Sequence, residues 1–439
     1  MTASNADDIK VVAPAARRRA RASRFLKILL AITVAMHVPV ALGVTELGRR
    51  LHWTAPALIG WVWAALGAAM FLGRARASIP DRKRHAGVIR FVDVPYFIHW
   101  CASLWTLIPS VVATLLAPLV DLARGVPVAL PWGVYEWAYL SGLAISAYGI
   151  LVRRRWFRVV EREARVPGLD PRLDGLRIAH LSDLHIGALT PRDWGMRWAA
   201  AAAAREADLA VVTGDMVTSG TDFHGDVAAV VGALRARMGV FVSMGNHDYF
   251  GDGEPLVSLL RDKGVRVLRN EGVLLDRAGA AIWLAAIDDT WTRRDDVASA
   301  MRGRPEGAVA LLLAHDPDSF DEAADAGADV VLSGHTHGGQ IAVPFVARAA
   351  NLASFTHRYI LGFYRRGHAL LYVHPGLGTT GPPIRVGVAP EVTILVLRPH
   401  PQPLSAGGEG SKTSGGEVTW CAHSSASTHS MRARGSSSR

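Results

Sequence analysis

Five short segments rich in aspartate and histidine follow apolar runs of strand length, in a fixed order along the chain. Side chains of these types serve as metal ligands and as acid–base groups. One such segment alone would be explained by a turn carboxylate or by a buried, hydrogen-bonded histidine. Five in one domain indicate a shared polar site, because many costly polar groups would otherwise converge without partners. The segments are Asp183-Leu184-His185, Gly214-Asp215, Gly245-Asn246-His247-Asp248, Ala314-His315-Asp316 and Gly334-His335-Thr336-His337.

The region around these segments, residues 170–399, has the pattern of an α/β domain. Apolar runs alternate with helical stretches at about 194–207, 226–237 and 256–263. Ligands of open α/β sheets bind outside the carboxyl ends of strands, and each of the five segments lies at such an end. The expected strands are 176–181, 209–213, 240–244, 265–268, 273–276, 281–286, 309–313, 330–332, 369–373 and 392–397.

The first part of the chain has a different composition. Hydrophobic residues make up 50% of the sequence, and the excess is concentrated before residue 152. Four apolar stretches, at 26–44, 57–72, 97–120 and 133–152, have about the length that a helix needs to cross ~30 Å of hydrocarbon, although the second is short. His37 and His99 interrupt them and are expected to pack between helices. The sequence therefore predicts an all-α transmembrane domain of about four helices over residues 25–152.

Basic residues predict the orientation of this domain. The net charge is +10, and arginine clusters flank the first stretch, the connection between the second and third stretches, and the end of the fourth. Nucleic-acid binding is one interpretation of a basic chain. Clusters beside apolar spans fit the positive-inside rule better, which puts both termini in the cytoplasm of an inner-membrane, multi-pass protein. A cleaved signal peptide is the rival interpretation of the first stretch, and three further stretches weaken it.

The remaining segments complete the expected domain organisation. Residues 1–24 form a basic cytoplasmic N-terminus, and residues 153–169 form a basic linker to the domain at 170–399. The tail at 400–439 is rich in serine and glycine and is expected to be disordered. Two cysteines, Cys101 and Cys421, exclude a disulfide framework and lack the spacing of a metal site.

The five segments resemble the calcineurin-like metallophosphoesterase superfamily, whose pattern is D-x-H, G-D, G-N-H-[DE], H and G-H-x-H. Two further runs, GHTHGGQ at 334–340 and GLGTTGPPIR at 376–385, resemble its YkuE-like, membrane-associated bacterial branch. The resemblance covers about residues 173–398. It implies a β-sandwich of two mixed sheets flanked by helices, which holds two divalent metal ions.

The resemblance also implies the metal ligands. It assigns seven side chains to the two ions: Asp183, His185 and His337 to one, Asn246, His315 and His335 to the other, and Asp215 to both. A mixed oxygen and nitrogen ligand set suits Mn²⁺, Fe or Zn²⁺. Two dications outweigh two carboxylates, so the site keeps the positive charge that attracts a phosphate. A hydroxide that bridges the ions would be the nucleophile.

Other residues near the motifs receive further roles. The resemblance makes His247 the general acid for the leaving oxygen and lets Asp248 orient a neighbouring group. His374 and Arg385 are candidate substrate-binding residues, and Arg385 could equally form a structural ion pair. His180 is expected to be structural. His224, His357 and His368 are expected on the surface or in loops.

The resulting hypothesis is a membrane-anchored phosphohydrolase that cleaves a phosphodiester or a phosphoanhydride, with a lipid-linked substrate among the candidates. Its expected partners are this phosphorylated substrate and membrane lipid, and no nucleic acid. Two alternatives are a phosphomonoesterase that acts on small metabolites, and a non-catalytic membrane sensor or scaffold with the same fold. Degenerate relatives lose ligands or the acid histidine, and this chain keeps them all, which favours the enzyme.

Overall fold

The computed structural model describes residues 14–77, 81–342 and 352–400. Within these ranges the chain forms two compact units. The first contains the chain up to Arg76 together with Pro95–Ser146, and the second contains Ala77–Val94 and the chain from Ala147 onward. The expected tail lies outside the described residues except for His400, and so do residues 1–13 of the expected N-terminal segment.

The first unit is helical, as expected. Each of the four apolar stretches lies in one helix, and α3 with the π-helical turn Ile89–Asp93 precedes the third. By length and composition, Lys27–Arg50 and Ala86–Ala123 can cross a membrane, and Pro56–Phe71 is a shorter apolar helix. The described residues therefore support the four-span expectation only in part. The helices in this part of the chain are α1 (Pro14–Arg50), α2 (Pro56–Ala77), α3 (Ala86–Val88), α4 (Val94–Ala123) and α5 (Trp132–Leu151), and α3 belongs to the second unit.

Glycines let these helices approach one another closely. A Cβ atom on Gly60 of α2 would lie 2.5 Å from the carbonyl oxygen of Ala41 in α1. A Cβ atom on Gly43 would lie 2.7 Å from the carbonyl oxygen of Tyr135 in α5. Small residues at helix contacts are typical of membrane bundles, where tight backbone approach replaces the hydrophobic effect.

A chain of hydrogen bonds joins all four long helices in the interior of this unit. Nε1 of Trp63 donates to the hydroxyl of Tyr139 at 2.9 Å, and that hydroxyl lies 2.9 Å from Nδ1 of His99. Nε2 of His99 lies 3.1 Å from Nε2 of His37, whose Nδ1 lies 2.5 Å from the carbonyl oxygen of Thr33. Both histidine rings can be neutral in this chain, because every contact is satisfied if each group donates its proton to the next group in the direction of Thr33. His37 and His99 therefore have the interhelical role expected from the sequence.

The second unit is built on two six-stranded mixed sheets. One sheet has the order β1-β12-β2-β3-β4-β5, and the other has the order β10-β11-β9-β8-β7-β6. Strands β2 to β5 are parallel, and so are β7, β8, β9 and β11, which is the architecture implied by the resemblance. The strands are β1 (Arg158–Val166), β2 (Arg177–Leu181), β3 (Leu209–Thr213), β4 (Val240–Ser243), β5 (Arg266–Val267), β6 (Glu271–Arg277), β7 (Ala280–Ala286), β8 (Val309–Leu313), β9 (Val330–Ser333), β10 (Gly362–Arg366), β11 (Ala369–Val373) and β12 (Glu391–Pro399).

Three apolar layers hold this unit together. Between the sheets, Phe241 and Val211 of one sheet pack in the same cluster as Leu311 and Leu284 of the other. Helices cover the outer faces in two further clusters. Burial of this area is the main stabilising contribution, at roughly 25 cal/mol per Å² of apolar surface. The covering helices are α6 (Arg192–Ala203), α7 (His224–Val231), α8 (Glu254–Asp262), α9 (Val297–Met301) and α10 (Phe320–Asp325).

The expected basic linker at 153–169 is wrong over most of its length. Arg158–Val166 forms β1, which pairs in parallel with β12 at the edge of the first sheet. Five of its nine residues are charged, so the segment resembles a polar linker although Ala164 and Val166 are buried. Charged residues are common on edge strands because one side faces solvent. The second unit therefore begins before the expected boundary at residue 170.

Candidate metal centre

The predicted ligands come from both sheets and lie at the carboxyl ends of parallel strands. Asp183 and His185 follow β2, Asp215 follows β3, and Asn246 with His247 follows β4. His315 follows β8, and His335 with His337 follows β9. Because both sheets end at the same rim, the structure brings all seven predicted ligands into one region, as the positions at strand ends predicted.

The backbone at this rim is strained. Five predicted ligands have a positive φ between 43° and 69°, a region that is uncommon for residues other than glycine and in which asparagine, aspartate and histidine are enriched. Each such residue costs of order 1–3 kcal/mol, and strain of this kind concentrates at functional sites. The five residues are Asp183, His185, Asp215, His335 and His337.

Glycines are required beside the ligands, because the backbone there closely approaches the ligand carboxylates. A Cβ atom on Gly245 would lie 2.4 Å from Oδ1 of Asp215, and a Cβ atom on Gly334 would lie 2.3 Å from Oδ2 of Asp183. Neither glycine could be replaced without moving a predicted metal ligand.

One cluster of ligand atoms contains Asp183, His185 and His337. Nε2 of His185 lies 3.0 Å from Nε2 of His337, which in turn lies 3.4 Å from Oδ1 of Asp183. One donor atom from each residue lies within 4.8 Å of the others, and all three side chains are buried. This is the set that the resemblance assigns to one ion.

A second cluster contains Asp215, His315 and His335. Nε2 of His315 lies 3.3 Å from Oδ2 of Asp215 and 3.2 Å from Nδ1 of His335. The same Oδ2 lies 3.5 Å from Nε2 of His185, so Asp215 stands between the two clusters as a bridging ligand would.

One orphaned polar atom tests whether these residues fit metal ions. Oδ1 of Asn246 is buried and has no hydrogen-bond partner within the described ranges. A buried oxygen without a donor costs roughly 1–3 kcal/mol unless something else binds it. An amide oxygen, carboxylates and imidazoles that converge in this way fit the donor set of Mn²⁺, Fe or Zn²⁺.

The electrostatics of the clusters also fit cations. Burial raises the pKa of Asp183 to about 7 and lowers the pKa values of His185 and His337 well below the ordinary histidine value. Burial also raises the pKa of Asp215, yet the nearby His315 and His247 outweigh it and hold that pKa well below its usual range. Bound dications would favour the ionised carboxylates that burial opposes.

His247 lies beside the clusters. It is partly exposed, and its ring centroid lies 4.6 Å from that of His185. Its backbone N–H donates to Oδ1 of Asp215 at 2.8 Å. Nδ1 lies 2.6 Å from the carbonyl oxygen of Thr218, and because a carbonyl only accepts, Nδ1 carries a proton. Nε2 lies 3.3 Å from Oγ1 of Thr380 and is the nitrogen left for proton transfer.

Asp248 supports the backbone of the site. Its Oδ1 accepts from the N–H groups of Met216 and Val217 at 2.9 and 3.1 Å, and its Oδ2 accepts from the N–H group of Gly245 at 2.9 Å. The carboxylate therefore ties the loop after β3 to the loop after β4, which agrees with the expected orienting role.

The structure puts Arg385 and His374 in the interior rather than at an open surface. The guanidinium of Arg385 is fully buried, donates to the carbonyl oxygens of Gly378 and Pro375, and lies 3.3 Å from Nδ1 of His337. His374 is also fully buried, and its Nδ1 accepts from the N–H group of Gly376. These contacts stabilise the loop at 375–378 and the ring of His337. Neither side chain therefore presents an exposed donor for the expected substrate-binding role.

Sequence reasoning missed several residues at the rim. His357 lies in a loop, as expected, but its ring centroid lies 5.2 Å from that of His335, and Asp316 joins them in a further group of ligand type. His224 was also expected on the surface or in a loop, and this expectation is wrong, because His224 lies in α7 and is buried. Trp291 is 61% exposed with its ring 5.6 Å from that of His335. The side chain of Gln340 exchanges two hydrogen bonds with the backbone of Thr380. Of these residues, Gln340 and Asp316 lay in recognised motifs.

These features define a metal-dependent hydrolase built on two mixed sheets. The family profile for Calcineurin-like phosphoesterase matches residues 176–339. The zebrafish (Danio rerio) Transmembrane protein with metallophosphoesterase domain is 31% identical over 300 residues, which are 64% of this chain and 68% of that protein. The bovine (Bos taurus) protein of the same name is 31% identical over 281 residues, which are 60% and 62% of the two chains.

A bacterial relative shows the same likeness. The metallophosphoesterase YkuE of Bacillus subtilis (strain 168) is 31% identical over 229 residues, which are 51% of this chain and 80% of that protein. The chain therefore belongs to the calcineurin-like metallophosphoesterase family, whose members hydrolyse phosphate esters, and the resemblance found from the motifs is confirmed. Its apolar helices, and relatives named as transmembrane proteins, associate it with membranes.

Proposed function

We propose that this protein is a membrane-anchored hydrolase with two metal ions that cleaves a phosphodiester or a phosphoanhydride. The observation that carries the proposal is the position of Asp215 between two clusters of ligand atoms, with the ring of His247 beside them. When bound, two divalent cations supply positive charge to the phosphate oxygens and activate water.

The chain's own residues supply the proton and the positions. The carbonyl of Thr218 holds one proton of His247 on Nδ1. In the imidazolium form a second proton lies on Nε2, and this is the proton that passes to the leaving oxygen. A poor leaving group needs such an acid to protonate its oxygen as the bond to phosphorus breaks. General acids contribute roughly 10²–10⁴-fold to rates. Asp248 and Arg385 keep the surrounding loops fixed.

The connection between α2 and α4 supports a cytoplasmic multi-pass arrangement. Ala77–Val94 belongs to the same compact unit as the catalytic sheets, so both lie on one side of any membrane that the helices cross. The chain then crosses an even number of times between this connection and Ala147. If α4 crosses, α5 must return. The basic residues of the connection and of 153–158 put that side in the cytoplasm.

A substrate on a lipid fits this arrangement better than a freely diffusing one. Each lysine or arginine near an anionic leaflet adds roughly 1 kcal/mol of attraction, which keeps a catalytic unit close to headgroups. Arg154 is not available for this purpose, because it is buried and its guanidinium lies 5.0 Å from the ring of Trp194. Arg155 and Arg158 remain exposed.

The test is hydrolysis by the full-length chain in detergent with Mn²⁺, Fe²⁺ or Zn²⁺ added. The substrates are a phosphodiester, a nucleotide–lipid phosphoanhydride and a phosphomonoester. We expect turnover of the diester or the anhydride that a chelator removes. Preference for the monoester would favour the phosphomonoesterase alternative. Absence of turnover in a preparation shown to bind metal would favour the sensor or scaffold.

A further inference from the structure

The connection between α2 and α4 packs against the loops that surround His247. Asp81 lies in this connection and is only 5% exposed. Its Oδ2 accepts a hydrogen bond of 3.0 Å from the N–H group of Ala188, and its own N–H group donates to Oγ of Ser219 at 2.9 Å. Asp81 therefore joins the loop after β2 to the loop after β3.

Those two loops meet at His247 through Thr218. The hydroxyl of Thr218 donates to the carbonyl oxygen of His185 at 2.9 Å, and the carbonyl oxygen of Thr218 accepts from Nδ1 of His247 at 2.6 Å. The second contact determines which ring nitrogen carries the fixed proton. The position of the backbone at Thr218 and Ser219 thus controls how His247 is oriented.

Gly187 is required for this arrangement. A Cβ atom at this position would lie 2.4 Å from Oδ2 of Asp81 and 2.5 Å from Oγ1 of Thr218. Contacts below 3 Å of this kind cannot be relieved without moving one of the two side chains, so glycine lets both approach the same turn.

The rest of the connection is anchored to the same unit. The N–H group of Lys83 donates to Oδ2 of Asp222 at 3.3 Å. Arg84 forms an ion pair of 2.8 Å with the fully buried Asp93 and lies 3.5 Å from Oδ1 of Asp81. Several independent contacts therefore fix Asp81 in place, and its interaction with Ala188 and Ser219 is part of a folded segment.

We propose that Asp81 is a positioning residue for His247, so that the connection between α2 and α4 completes the acid site of the hydrolase. The proposal rests on the proposed function, because it needs His247 to act as the acid. Misplacement of a catalytic group by about 1 Å can cost on the order of 10²-fold in rate. The loss should be largest where the leaving group needs a proton.

The experiment compares Asp81→Ala, Asp81→Asn and His247→Ala with the full-length protein in detergent. The substrates are a nitrophenyl phosphodiester, which has a good leaving group, and an alkyl phosphodiester, which has a poor one. For Asp81→Ala we expect kcat to fall by about 10- to 100-fold on the alkyl substrate and far less on the nitrophenyl substrate. An asparagine side chain keeps an oxygen that can accept from the N–H group of Ala188, so Asp81→Asn should restore the alkyl activity.

Lys83→Ala is the matched control, since its side chain is exposed in the same connection and its backbone hydrogen bond is retained. It should leave both activities unchanged. Hydrogen exchange supplies a second measurement: the amide of Ala188 should exchange faster in Asp81→Ala than in Lys83→Ala. If Asp81→Ala does not fold, Ser219→Ala removes the other contact of Asp81 and should show the same dependence on the leaving group.

The outcomes separate the two proposals. If His247→Ala loses both activities equally, the acid role of His247 fails, and the role of Asp81 fails with it. In a second outcome, the loss of activity in His247→Ala depends on the leaving group, but Asp81→Ala and Ser219→Ala either lose both activities equally or lose neither. That outcome overturns only the positioning role of Asp81.

Discussion

The carbonyl oxygen of Thr218 accepts a hydrogen bond of 2.6 Å from Nδ1 of His247, and this contact leaves Nε2 of His247 for proton transfer. The acceptor comes from the loop after β3 and the histidine from the loop after β4. An interaction between two loops therefore holds one ring proton of the candidate acid on Nδ1 and orients the ring, as a carboxylate does in other hydrolases.

Replacement of this histidine should affect chemistry more than metal content. His247→Ala is expected to lower kcat by about 10²–10⁴-fold on an alkyl phosphodiester, with a smaller loss on a nitrophenyl substrate. Steady-state kinetics and metal analysis of the same preparation check this. The control is His368→Ala, which changes an exposed histidine. An equal loss on both substrates would remove His247 from the acid role.

Asp215→Asn should be the most damaging change among the ligands, because its carboxylate lies between both clusters. We expect weaker binding of both ions and loss of turnover, measured by metal analysis after dialysis and by kinetics with added Mn²⁺. Chelation of the wild type should also lower its melting temperature, since a ligand bound only to the folded state stabilises it. Near wild-type turnover in Asp215→Asn would exclude a bridging role.

The stability of the protein should depend on pH through Asp81. Burial raises the pKa of Asp81, and the N–H group of Ala188 and the charge of Arg84 offset this only in part. A carboxyl whose pKa is higher in the folded than in the unfolded protein stabilises the fold when the pH is below its unfolded pKa, near 3.9. This contribution is lost as the pH rises through the folded pKa. Asp81→Asn should therefore gain stability relative to the wild type between about pH 4 and pH 7. Thermal melts of both proteins in detergent at these two pH values measure this. A difference in melting temperature between variant and wild type that is the same at both pH values would contradict it.

The chain of hydrogen bonds in the helical unit should contribute measurable stability. Tyr139→Phe removes the hydroxyl that links Trp63 to His99. Interhelical hydrogen bonds in membrane proteins contribute on average about 0.6 kcal/mol each, so we expect a loss of roughly 1 kcal/mol. Unfolding in mixed micelles measures it. Tyr148→Phe in the same helix is the control, because Tyr148 is 50% exposed, and an equal effect of both changes would contradict the assignment.

The orientation can be tested directly. A reporter fused after residue 400 should behave as cytoplasmic, and protease added outside intact spheroplasts should leave the catalytic unit uncut. The cysteine of a Lys83→Cys variant should likewise resist a thiol reagent that does not cross the membrane, because this connection belongs to the catalytic unit. External cleavage of the catalytic unit would overturn the proposed topology and redirect the search for substrates to the exported side.

Most strands of the catalytic unit were predictable because their signals are local. Runs such as β3 and β8 are almost entirely apolar and are buried throughout, and they occupy the predicted residues without change. The edge strand β1 was missed because its charged residues resemble a linker, and β10 was missed because its residues are only half-buried. Edge strands carry weak patterns, since solvent covers part of their surface. The helix predicted at 226–237 ends at Val231 because Gly232 follows it.

The sequence by itself determined which side chains could serve as ligands and that they would lie at strand ends, because motif and hydrophobic period are both local properties. Only the tertiary structure decided what surrounds them. Arg385 was expected near substrate and is buried against His337, and His224 was expected on the surface or in a loop and is buried in α7. Asp81 precedes Ser219 by 138 residues, yet its backbone N–H group donates to the hydroxyl of that serine. Such contacts depend on how distant segments pack, and no local pattern in the sequence specifies that packing.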